Sequence, residues 1–125
     1  MPGARMIAAV PSPAPYTIAE GASTESVLVV VLSGELDLAA APLLRARLDD
    51  TGSAQALVVD FARVSFIDSA VLKELLRARA ELAARDVRLV LAGVRPPVRR
   101  LLDLTRTSEL FEDAPDAETA LKQLS

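Results

Sequence analysis

Ala56-Leu57-Val58-Val59-Asp60-Phe61-Ala62-Arg63-Val64-Ser65-Phe66-Ile67-Asp68-Ser69-Ala70-Val71 decides the fold of this 125-residue chain. Ala56 to Phe61 is apolar on both alternating faces, the pattern of a central strand covered on both sides. A short polar turn follows. Ser69 to Ala84 is then predicted as a helix, with Val71, Leu72, Leu75, Ala78 and Leu82 in one apolar stripe. On its other face Arg77–Glu81 and Glu81–Arg85 are spaced to pair across one turn. A doubly covered strand feeding an amphipathic helix is one unit of a largely parallel sheet.

The same alternation extends in both directions. Downstream, Val87 to Ala92 reads as a strand ended by Gly93, and a helix from Pro96 or Pro97 to about Leu104 turns Val98, Leu101 and Leu102 inward. Glu109 to Glu112 is a candidate short edge strand, and a last helix starting at Pro115 buries Ala117, Ala120, Leu121 and Leu124. Upstream, Tyr16 to Ala19 and Val27 to Ser33 read as strands of an antiparallel hairpin joined by the turn-rich Glu20 to Glu25. Ala40 to Asp50 follows as a helix with Ala41, Leu44 and Leu48 on one face. The expected fold class is α/β: one domain over residues 16–125, with a mixed, mostly parallel sheet of four to five strands and about four helices. Pro2, Pro11, Pro13 and Pro15 make residues 1–15 an expected disordered N-terminal tail.

Composition narrows the chemistry. Hydrophobic residues make up 51% of the chain but aromatics only 3%, so the core is aliphatic. The chain has neither cysteine nor histidine, which removes the thiol nucleophile, the thiolate metal site and the commonest general base. An enzyme is therefore not expected, nor a cofactor. A net charge of −3 gives no general pull towards nucleic acid or an anionic membrane. Val27 to Leu32 is far too short to span a bilayer, and Met6 to Val10 is too short for a secretory signal core. A cytoplasmic protein is expected.

Function in such sheets sits in the loops beyond the C-terminal ends of parallel strands. Two of these loops carry polar residues that packing does not demand. One is Gly34-Glu35-Leu36-Asp37, where Gly34 permits a backbone turn and Asp37 stands just upstream of a helix. The other is Ser65 to Ser69, where Asp68 and Ser69 each read either as the cap of the long helix or as a binding residue. Asp37 reads equally as a helix-flanking residue and as a binding residue. Arg95, Arg99, Arg100 and Arg106 form a basic concentration that reads as a solvated helix face, with no stacking aromatics nearby to suit nucleic acid.

The two loops together resemble the STAS family, the sulphate-transporter and anti-sigma-factor-antagonist domains. Gly34-Glu35-Leu36-Asp37 is similar to that family's Gly-Glu-(Leu/Ile)-Asp element, and Val59-Asp60-Phe61 with Phe66-Ile67-Asp68-Ser69 follows at the family's separation. The resemblance runs from about Tyr16 to Leu124 and implies a bacterial anti-sigma factor antagonist. Such a protein binds an anti-sigma factor that is also a serine kinase, releases it once phosphorylated, and touches neither nucleic acid nor membrane directly. The implied partner-binding residues are Gly34, Glu35, Asp37, Ser65, Asp68, Ser69, Ala70 and Val71. The family segment usually ends Asp-Ser-Ser-Gly, with its second hydroxyl phosphorylated. Here Ala70 and Val71 replace the last two residues, so Ser69 is the remaining candidate phosphoacceptor and the expected control is altered or lost.

Two other readings compete with this one. A phosphoacceptor receiver domain shares the length, Val58-Val59-Asp60 resembles its strand-end aspartate, and Arg95-Pro96 stands where it carries Lys-Pro. Such a domain needs an acidic pair after its first strand to hold Mg²⁺, and none follows Tyr16–Ala19 or Val27–Ser33. The second reading is a STAS subunit or scaffold module of a larger stress-signalling, transporter or lipid-transport assembly, where the same loops hold another partner.

Overall fold

Each strand after the second joins the sheet beside its predecessor, and this simple growth accounts for the whole architecture. Residues 16–125 are described by a computed structural model. The strands are β1 (Tyr16–Glu20), β2 (Val27–Leu36), β3 (Ala56–Ile67), β4 (Arg88–Ala92) and β5 (Glu112–Ala114). They lie in the order β1-β2-β3-β4-β5, with β1 antiparallel to β2 and all other neighbours parallel. The helices are α1 (Ala41–Asp49), α2 (Ser69–Ala83), α3 (Pro96–Leu104) and α4 (Ala117–Leu124). The expected tail over residues 1–15 lies outside the described residues.

Right-handed crossovers between adjacent parallel strands return each helix to the same face. Accordingly α1, α2 and α3 share one large core, where Leu44 and Leu48, Val71, Leu75 and Leu82, and Val98 and Leu102 meet Val30, Leu32, Leu57, Val59, Phe61 and Leu91. The opposite face is smaller and is closed by α4, whose Ala120, Leu121 and Leu124 cover Val27, Val29, Val58, Val90 and Ala114. A receiver domain has the strand order 2-1-3-4-5. The sequential order with an antiparallel first pair excludes that fold here.

β3 departs from expectation: it runs to Ile67, six residues past Phe61. Over this stretch Phe61, Val64 and Ile67 are buried while the pairs between them are exposed. A spacing of three is neither strand nor helix, and β-bulges explain it. Ser33 pairs with Arg63 where Val31 pairs with Asp60, and Glu35 pairs with Phe66 where Gly34 pairs with Val64. At each step β3 gains one residue on β2, so its twelve residues span the length of β2's ten.

The backbone groups freed by the first bulge find partners. The Ala62 N–H donates to Asp60 Oδ1 at 2.9 Å, and Arg95 Nη1 donates to the Ala62 carbonyl at 3.3 Å. Asp60 is thus a brace for the bulge. At this bulge β3 lies close to the end of β4, so that a Cβ on Gly93 (φ 66°) would meet Ala62 atoms at 3.1 to 3.3 Å.

Smaller differences have local causes. Asp116 caps α4 by accepting from the Thr119 N–H at 2.7 Å, so the helix starts after Asp116 and not at Pro115. Backbone hydrogen bonding to Asp116 holds its carboxyl below the usual carboxylate range. Ser108–Leu110 is a short 3₁₀ turn, which moves the edge strand to Glu112–Ala114. Arg77 pairs with Glu81 (2.6 Å) as expected and also with Glu74 (2.8 Å) and Asp49 (3.1 Å). Arg85 turns instead to the Thr51 hydroxyl at 3.1 Å. No described helix is long and apolar enough to cross a membrane.

The three-residue spacing has a testable consequence. Val64→Ala is expected to cost about 2 kcal/mol in urea unfolding, as a truncation in the core, whereas the adjacent Arg63→Ala should change stability by less than about 0.5 kcal/mol.

Candidate functional site

The parallel register of β2 and β3 carries both polar loops to one end of the sheet. Leu36 pairs with Ile67, and both side chains are buried. The Asp68 N–H then donates to the Leu36 carbonyl at 3.1 Å, tying the second loop to the first. Each strand is followed by an aspartate that caps the next turn. Asp37 accepts through Oδ1 from the Ala39 N–H at 3.0 Å and caps the short 3₁₀ turn Leu38–Ala40 that precedes α1. Asp68 accepts through Oδ1 from the Ala70 and Val71 N–H groups at 2.9 and 3.3 Å and caps α2. Asp68, not Ser69, is therefore the N-cap of the long helix.

Gly34 has φ 86°, so the left-handed backbone that glycine permits is used at the second bulge. The Ser65 hydroxyl donates to the Gly34 carbonyl at 3.4 Å across the strands. Glu35, Asp37, Ser65 and Ser69 are exposed, and Gly34, Asp68 and Ala70 are half-buried.

Val71 corrects an expectation. Its side chain is fully buried in the core with Leu72 and Leu75, so it is not available to a partner. The apolar stripe of α2 places it inward, and that periodicity outweighs its position in the motif. What sequence reasoning missed is a pair of apolar side chains at the same end. Leu38 is 70% exposed on the 3₁₀ turn, and Phe66 is 46% exposed on the second bulge, where its Cα partner is Glu35. A detectable signal was present for Phe66, since it falls between the inward Val64 and Ile67.

The shape of this end follows from topology. Ligand crevices in open α/β sheets form where the strand order reverses and neighbouring loops part. This sheet has no reversal, so the loops after β2 and β3 lie side by side. Two apolar knobs beside exposed carboxylates make a surface suited to a protein partner rather than a cleft suited to a small substrate.

The chain resembles known proteins across most of its length. The family model described as "STAS domain" matches residues 20–120. An anti-sigma F factor antagonist from Paenibacillus polymyxa is 28% identical over 105 residues, covering 79% of this chain and 90% of that protein. The crystal structure of an anti-sigma factor antagonist from Mycobacterium paratuberculosis superposes with a TM-score of 0.74 at 30% identity, covering 90% of this chain and 97% of that one. The unphosphorylated form of the anti-sigma factor antagonist SpoIIAA gives 0.75 at 27% identity, covering 86% and 95%. SpoIIAA, a Bacillus cell fate determinant, is also known in a phosphorylated form, which superposes at 0.71 and 26% identity, covering 87% of this chain and 100% of that one. With a single domain model spanning β2 to β5, α1 to α3 and both acidic loops, the chain belongs to the STAS-domain family.

Proposed function

We propose that this protein is an anti-sigma factor antagonist that binds an anti-sigma factor with serine kinase activity through the joined ends of β2 and β3. The observation that carries the reading is the convergence of Leu38, Phe66, Glu35 and Asp37 on one end of the sheet, in a chain similar over most of its length to antagonists. Exposed apolar side chains ringed by charge are the usual anchors of a protein interface.

Control at this surface differs from the family pattern. A phosphoryl group adds about −1.5 to −2 charges at pH 7. In the family that charge falls on the residue matching Ala70, whose N–H here already donates to Asp68 Oδ1. A phosphate there meets a carboxylate that has taken the helix N-terminal amides, so repulsion and desolvation drive the partner off. Ala70 has no hydroxyl to modify, so the protein binds without that off switch. Ser69 stands one residue earlier, turned about 100° around the helix, and a kinase aligned on the second position reaches it poorly.

The test is direct binding between the purified protein and the serine-kinase anti-sigma factors of its own host. Binding of one of them, with displacement of a sigma factor, supports the reading. Exclusive recovery of transporter or scaffold subunits would move the protein to the assembly-module class. In calorimetry against the bound anti-sigma factor, Phe66→Ala and Leu38→Ala should each weaken affinity by about 1 kcal/mol or more, with no loss of thermal stability. The two roles of Asp68 separate by substitution. Asp68→Ala should cost about 1 kcal/mol of folding stability through the lost cap, while Asp68→Asn keeps a capping oxygen and should retain most of that stability. Weakened partner binding in Asp68→Asn would then be an effect of charge alone. Incubated with the kinase partner and ATP, Ala70→Ser should gain phosphate by mass spectrometry and lose affinity, while the parent chain keeps its affinity.

A further inference from the structure

We infer that the protein forms a two-fold dimer by pairing β1 with β1 of a second copy, making one continuous ten-stranded sheet. Among the described residues β1 pairs on one side only, with β2, and its other edge is unpaired. An unpaired edge presents a row of backbone donors and acceptors that accepts another strand. Of the devices that blunt such edges, Tyr16–Glu20 carries a single charge, Glu20 at its end, and has no proline, no lysine and no bulge against β2. Beside this edge runs an open groove of about 550 Å³, walled by β1, by Leu43, Ala46 and Arg47 of α1, and by Asp50 just after it. Leu43 is 57% exposed there, and Tyr16 and Ile18 are only partly buried.

A second copy fits the charges and the apolar surface in one operation. Antiparallel pairing about a two-fold axis at Ile18 sets Tyr16 opposite Glu20 and Thr17 opposite Ala19 of the second copy. Glu20 is the sole charge on β1, so this register keeps the two carboxylates at opposite ends of the seam. Each faces a tyrosine hydroxyl that can donate to it. Arg47 already holds Glu20 at 3.0 Å, and no like charges meet across the strands. The same axis brings the two α1 helices to one side of the seam, where the two Leu43 side chains cover the Ile18 pair. Because the two-fold axis reverses the strand direction of the second copy, the Leu38–Phe66 ends of the two copies point in opposite directions. The dimer would then present two partner surfaces, one at each end.

Sedimentation equilibrium of the full chain over a range of concentrations tests the proposal. The expected result is a monomer–dimer equilibrium that Leu43→Glu weakens by about tenfold or more, with the circular dichroism spectrum unchanged because Leu43 is exposed, and with the melting temperature unchanged at concentrations where both chains are monomeric. The register is read independently by cross-linking, which is clean because the chain has no cysteine of its own. With oxidised glutathione as oxidant, a mixture of Thr17→Cys and Ala19→Cys chains should yield a disulfide-linked dimer, while either variant alone should not. A chain that stays monomeric overturns the proposal and leaves the edge to a strand from another protein. A dimer that is indifferent to Leu43→Glu and gives no Thr17→Cys with Ala19→Cys cross-link also overturns it, by placing the contact elsewhere.

Discussion

The in-register end of β2 and β3, closed by the Asp68 N–H on the Leu36 carbonyl, is the constraint on which the site depends. Two strands of different length must finish level, and β3 is two residues longer than β2. The bulges absorb the excess. Without them Ile67 would not sit beside Leu36, the aspartates would not start their turns together, and the two loops would be separate surfaces. Asp60 and Arg95, which hold backbone groups freed by the first bulge, act on the site without belonging to it, while the Ser65 hydroxyl, at the site itself, ties β3 to the Gly34 carbonyl.

The aspartates carry two duties at once. Each satisfies helix or turn amides through one carboxylate oxygen, a structural task, and each contributes charge to the exposed end. This overlap explains why sequence alone left Asp37 and Asp68 between capping and binding: the residue type serves both. It also explains why Ala70 leaves the fold undisturbed. The cap of α2 is upstream of it, so the hydroxyl that the family motif carries at that position is not needed to start the helix.

What was legible in the sequence was whatever repeats with the period of an element. The stripes of α1, α2 and α3, the hairpin at the start and the doubly covered strand all emerged from apolar spacing, and the STAS motifs placed the two loops together. The far half of β3 was hidden because Phe61, Val64 and Ile67 recur every third residue, a spacing produced only by bulges whose partners lie thirty residues away in β2. Val71 shows the reverse case. Its place in the motif suggested the surface, its place in the stripe said core, and packing decided for the stripe. Leu38 gave no signal at all, because an exposed leucine on a turn looks the same in sequence as a buried one.

The sequential strand order also governs how the chain can assemble. After the β1–β2 hairpin, each crossover delivers a strand to the edge that has just been made, so the large core grows in step with the chain and needs few distant contacts. The second face follows a different schedule. Val27, Val29, Val58 and Val90 are laid down before their cover, α4, which follows all five strands. Until α4 is made, that valine surface lacks the helix that covers it, and an open apolar sheet face is where nascent chains associate wrongly. The eight-residue α4 thus separates a covered sheet face from an adhesive one.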